Sequence, residues 1–86
     1  MKNLGWKQQK NRLVKTFTFA NFAEALDFVN QVGAIAEKIN HHPTLTVSWG
    51  RVTVATTTHD QGNIITQKDI ELLKLIDCLK QEELKS

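Results

Sequence analysis

Apolar residues recur along this chain with two different periods, and the places where the period changes mark out its elements. Residues 12–19, RLVKTFTF, alternate, with Phe17 and Phe19 on one side and Thr16 and Thr18 on the other, in a run rich in strand formers. Ahead of them, Gly5-Trp6-Lys7-Gln8 reads as a short strand and the polar Gln9-Lys10-Asn11 as a turn, which predicts a hairpin. From Ala20 to Asn40 the step lengthens to three and four residues. Phe22, Ala25, Val29, Val32, Ala36 and Ile39 share one helix face, Asn21 is placed to cap it, and Glu24 stands where a capping box needs it. Phe28 and Ile35 form a second apolar strip, more than one sheet needs to cover, which suggests a partner subunit. Gly33 is roughly 1 kcal/mol worse than Ala inside a helix, so close packing is expected there.

The long helix must stop before Pro43, which disfavours helical geometry at His42. Residues 44–49, TLTVSW, alternate again, with Leu45, Val47 and Trp49 against Thr44, Thr46 and Ser48; Gly50-Arg51 reads as a turn and residues 52–58, VTVATTT, as the returning strand. Residues 59–65 form a polar loop around Gly62. Thr66 and Asp69 then make a Thr-x-x-Asp capping pair that opens a last helix, whose apolar face is Ile70, Leu73, Ile76 and Leu79. The order β-β-α-β-β-α predicts an α+β fold: an antiparallel four-stranded sheet with helices packed on one face. With 86 residues it makes a single domain, 1–86, whose modest core favours self-association.

Composition narrows the functions. Eleven Lys and Arg against nine Asp and Glu is close to balance, and the basic residues are scattered, so no nucleic-acid footprint is expected. No apolar run approaches the roughly 20 residues of a membrane span. The N-terminus lacks a secretory pattern, and one cysteine, Cys78, fits a cytoplasmic location. Cys78 falls within the last predicted helix, where it packs, and Trp6 and Trp49 are expected in the core or an interface. Threonine and serine hydroxyls alternate along the strands and are accounted for as solvated sheet positions.

Chemistry concentrates in Ile39-Asn40-His41-His42-Pro43-Thr44. His41 and His42 follow the long helix and His59 follows the last strand, so closing the hairpin 44–58 would bring three imidazoles to one rim, with Glu37 and Asp69 nearby. Three readings stand. A zinc site could use three histidines, but the extended backbone before Pro43 turns neighbouring side chains apart, and no His-x-His, His-x-x-x-His or cysteine support is present. Surface histidines at a helix C-terminus are favoured by the helix dipole alone. Acid–base catalysis is the third, because imidazole gives and takes protons near neutrality, and a reaction that loses water needs no nucleophile.

Residues 17–22 (FTF followed by ANF), AEKINHHP (36–43), TTTH (56–59) and TQKD (66–69) resemble the pterin-4a-carbinolamine dehydratase family in order and spacing, and the likeness runs from Gly5-Trp6 to the last helix. The resemblance implies an α+β homodimer or homotetramer that dehydrates 4a-hydroxytetrahydropterin to quinonoid dihydropterin. That step recycles the cofactor of aromatic amino acid hydroxylases; the pterin is substrate, and neither a cofactor nor a metal is implied. Carried over by position, it implies acid–base roles for His41 and His59. It places His42 on the pterin, Glu37 and Asp69 on the histidines or the ring N–H groups, Pro43 in fixing how the chain leaves the helix, and Lys68 beside the substrate.

Three positions depart from that pattern. A helix usual in the family before Gly-Trp is absent. Leu45 stands where many relatives have an aromatic, and Lys68 where an arginine is common, keeping the charge without the bidentate fork. Some relatives in the family have second roles as protein-binding factors, so a non-catalytic scaffold or regulatory role is the alternative.

Overall fold

The computed structural model describes residues 5–58 and 62–85, with side chains through Leu79. β1 (Lys7–Gln9) and β2 (Arg12–Thr18) form the first hairpin, with Lys10 in the left-handed region at φ 57° in its turn. α1 (Phe22–Ile39), β3 (Thr44–Ser48), β4 (Arg51–Thr56) and α2 (Gln67–Lys85) complete the expected order. The four strands lie β1-β2-β4-β3, every neighbouring pair antiparallel, so α1 carries the chain across β4's place to the far edge.

Register sorts the strand residues onto two faces. Phe17 stands opposite Val52 and Val47 opposite Val52, while Leu45 and Lys15 flank Val54; this face meets both helices. The other face carries Thr16, Thr53 and Thr46 in one row and Thr18, Arg51 and Ser48 in the next, without a covering helix among the described residues. The strand register therefore places the core between the sheet and the two helices, as a two-layer α+β domain requires.

Several local expectations shift in the folded chain. Arg51 pairs with Ser48, so the tight turn is Trp49-Gly50 rather than Gly50-Arg51, and Trp49 projects from it 72 % exposed instead of entering a core. Glu24 does reach back across the start of α1, but to the Ala20 N–H, while the Asn21 side chain accepts from the Glu24 N–H. Phe28 is not on a separate strip. It is fully buried at the centre of the helix face, stacked obliquely between Phe17 and Phe19, and Ile35 also packs against the core. The large apolar side chains that α1 leaves exposed are Phe22 and Leu26. At Gly33 an added Cβ would meet nothing within 4 Å, so the glycine is not required by close packing. Cys78 is exposed on α2 rather than packed.

One polar cluster penetrates the core. Trp6 is buried edge-on against Phe17, and its indole N–H donates to both carboxylate oxygens of Asp77 at 3.2 Å. Lys15 Nζ completes the group at 3.0 Å from Asp77 and 4.8 Å from the centre of the Phe17 ring. A buried carboxylate is tolerated because donors surround it. Here they tie the start of the chain to the middle of α2.

Two substitutions test this packing by chemical denaturation. Phe28→Ala is expected to cost about 3–5 kcal/mol. Gly33→Ala is expected to stabilise the helix by up to about 1 kcal/mol. A neutral Phe28→Ala would show that the core does not centre on this ring.

Candidate active site

The end of α1 is made by Asn40. It adopts the left-handed conformation (φ 55°, ψ 46°), which asparagine tolerates better than most residues, and its N–H and that of His41 both return to the Ala36 carbonyl. α1 therefore ends at Ile39, and the chain runs without regular secondary structure through the buried His41, the exposed His42 and the half-buried Pro43 into β3. Pro43 favours extended geometry at His42, and on such backbone neighbouring side chains point apart. His41 turns inward and is buried; His42 stays exposed and its Nε2 contacts Glu37 at the last turn of α1.

The inward histidine meets Asp69. His41 Nε2 lies 2.7 Å from Asp69 Oδ1, and Asp69 is completely buried. Thr66 caps α2, accepting from the Lys68 N–H at 3.3 Å, while its own N–H donates to Asp69 Oδ2 at 2.9 Å. The predicted Thr-x-x-Asp pair thus forms, and its acid points into the protein beside the positive end of the helix dipole.

Two further hydroxyls complete the carboxylate's surroundings. Thr56 Oγ1 donates to Oδ1 at 2.5 Å and Thr58 Oγ1 to Oδ2 at 2.7 Å. Thr58 Oγ1 also lies 2.6 Å from Thr66 Oγ1, and its backbone pairs with Ile64 across the loop. Alternation places Thr56 and Thr58 toward Asp69, while Thr57 between them donates to the Asn11 carbonyl at 2.6 Å. Burial alone would push the Asp69 carboxyl up. Hydrogen bonds from His41, Thr56, the Thr66 N–H and Thr58 outweigh it and hold the group below its ordinary value of 3.8.

The structure thus joins two pairs among the residues singled out from sequence: His41 with Asp69, and His42 with Glu37. Lys68 is exposed at the start of α2, Leu45 packs against the core, and His59 lies outside the described residues. Among the described residues, no three His, Cys, Asp or Glu side chains gather closely enough to hold a metal ion. Thr56 and Thr58, which alternation along the strand marks as solvated positions, are instead buried donors to Asp69. The available signal was Thr56-Thr57-Thr58 closing a strand just before a Thr-x-x-Asp cap, since a carboxylate buried at such a junction must draw donors from nearby.

The sequence profile of the family described as pterin 4 alpha carbinolamine dehydratase matches residues 1–79. A protein of Thermosynechococcus vestitus provisionally named as such a dehydratase is 55 % identical over 75 residues, spanning 87 % of this chain and 78 % of that one. One from Sulfolobus acidocaldarius, named in the same way, is 44 % identical over 76 residues, 88 % and 82 % of the two chains. Among solved structures, a transcriptional coactivator/pterin dehydratase from Brucella melitensis superposes with a TM-score of 0.82 at 30 % identity, covering 87 % of this chain and 81 % of that one. A pterin dehydratase-like protein identified as a RuBisCO assembly factor in the alpha-carboxysome shares the fold, with a TM-score of 0.72 at 22 % identity over 87 % and 88 % of the chains.

Because the folded Asp69 titrates below its unfolded counterpart, it contributes stability above pH about 4 that is lost as pH falls through the folded value. Asp69→Asn removes this dependence and is expected to cost roughly 3–5 kcal/mol at neutral pH, since the surrounding donors then face a poorer acceptor. Denaturation curves from pH 7 to pH 3 on both proteins check it. Parallel acid losses in the two would show that Asp69 does not carry the effect.

Proposed function

The chain belongs to the pterin 4 alpha carbinolamine dehydratase family, and from that premise we propose that it converts 4a-hydroxytetrahydropterin to quinonoid dihydropterin and water. The observation that carries the reading is the buried His41–Asp69 pair beside the more exposed His42–Glu37 pair. A histidine oriented by a buried carboxylate, at the mouth of a site, is suited to proton transfer.

The elimination balances without any added reagent. A base takes the proton from N5, the C4a–O bond breaks as the C4a=N5 bond forms, and the hydroxyl leaves with a proton as water. His41 serves one of these transfers and His59, by its matching position in the family pattern, the other. His42, held by Glu37, is available at the surface to meet the polar ring, with Lys68 near the start of α2. Pro43 disfavours helical geometry at His42, and the two histidines part, His41 buried and His42 exposed. The pterin is the substrate, and loss of water asks for no cofactor. The product would return to an aromatic amino acid hydroxylase as reducible cofactor.

Assembly as a homodimer or homotetramer is part of the same reading. β3 is an edge strand of five residues, Thr44–Ser48, with no charge and no proline within it, and such edges favour pairing with another strand. A non-catalytic, protein-binding role is the second reading. The exposed Phe22 and Leu26 of α1 favour it, as does the coactivator role in the name of the Brucella relative.

The deciding experiment generates the 4a-hydroxytetrahydropterin with a hydroxylase and follows its disappearance by absorbance. The native chain is expected to accelerate the loss, and His41→Ala to reduce kcat by on the order of 100-fold or more. A folded native protein that gives no acceleration would remove the enzymatic reading and leave the protein-binding one.

A further inference from the structure

We propose that Thr56 and Thr58 are positioning residues that fix the tautomer of His41 through Asp69, leaving Nδ1 as the ring nitrogen that exchanges a proton with the substrate. The inference deepens the dehydratase reading and rests on it for the identity of that substrate.

The direction of each hydrogen bond follows from which groups can only donate. The Lys68 N–H occupies an acceptor site of the Thr66 hydroxyl at 3.3 Å, leaving the hydroxyl hydrogen free to point elsewhere. The nearest oxygen is Thr58 Oγ1 at 2.6 Å. Thr58, receiving that hydrogen, sends its own to Asp69 Oδ2 at 2.7 Å, where the Thr66 N–H also arrives at 2.9 Å. On the other oxygen, Thr56 has a choice between Asp69 Oδ1 at 2.5 Å and His41 Nε2 at 3.4 Å, and distance sends its hydrogen to the carboxylate. Three donors are then committed to Asp69. An ionised carboxylate only accepts, so the remaining contact, 2.7 Å to His41 Nε2, must be completed by an N–H of the ring.

A neutral imidazole with its hydrogen on Nε2 has its lone pair on Nδ1. Nδ1 has no partner among the described residues. Since no fully buried side-chain nitrogen or oxygen described there lacks one, Nδ1 is not sealed away from solvent. The ring is therefore held in one tautomer by buried hydroxyls that act through Asp69. Replacing either threonine with valine keeps the shape and removes a donor, which frees Asp69 to rotate and the ring to change tautomer.

The experiment records nitrogen NMR spectra of ring-labelled His41 alongside steady-state kinetics with 4a-hydroxytetrahydropterin. In the native protein Nε2 is expected to carry the hydrogen and Nδ1 to be bare. Thr56→Val and Thr58→Val are each expected to mix the tautomers and lower kcat roughly 10- to 100-fold with KM little changed. Thr56→Ser and Thr58→Ser are expected to restore both readouts. A native Nδ1–H tautomer, or folded valine variants with an unchanged spectrum and unchanged kcat, overturns the inference. If a valine variant does not fold, the native spectrum and the serine variants decide it. A native chain with the expected tautomer but no dehydratase activity removes the substrate reading, and the valine spectra still decide the positioning role.

Discussion

The carboxylate of Asp69 is the group around which the site is organised. A charge taken fully out of water costs several kcal/mol unless donors replace the lost hydration. Asp69 is fully buried, and its donors come from four separate places: the link after α1, the end of β4, the bridge that follows β4, and the cap of α2. None of these segments can drift without leaving a buried oxygen short of a partner. The same requirement that stabilises the anion therefore holds His41 against the end of the sheet.

α2 carries a second buried acid two turns later. Asp77 takes its donors from Trp6 and Lys15, at the beginning of the chain and on β2. One acid secures the helix start against the ends of β4 and α1, and the other secures its middle against the first hairpin. Between them Leu72, Leu73 and Ile76 supply the non-directional part of the packing, fully buried or nearly so. Apolar burial holds α2 on the sheet, while the two carboxylates set its register. The two acids do different work. Asp77 meets a lysine and an indole and only ties elements together, whereas Asp69 meets an imidazole and so couples the fold to a group that can move protons.

The adjacent histidines show how backbone geometry divides labour between like residues. Left-handed Asn40 ends the helix, and the short irregular run to Pro43 leaves His41 buried and His42 exposed. One imidazole is drawn into low dielectric beside a fixed anion, where its tautomer is under control. Its neighbour remains exposed against Glu37.

The sequence by itself determined the element order and most of the element boundaries. The reason is that period-two and period-3.6 patterns and capping residues act over a few neighbouring positions: Asn21 and Thr66 cap the helices they were expected to cap, and Phe17, Val52 and Val54 face the core. It also marked His41, His42, Glu37 and Asp69, because unusual residue types at fixed spacing survive without coordinates. Tertiary structure alone decided that Phe28 sits at the core's centre, that Trp49 is left outside, and that Thr56 and Thr58 turn from ordinary strand threonines into buried donors. Those outcomes depend on what packs opposite each residue. A threonine at the end of a strand looks the same in sequence whether water or a buried carboxylate faces its hydroxyl; only the long-range placement of α2 makes that choice.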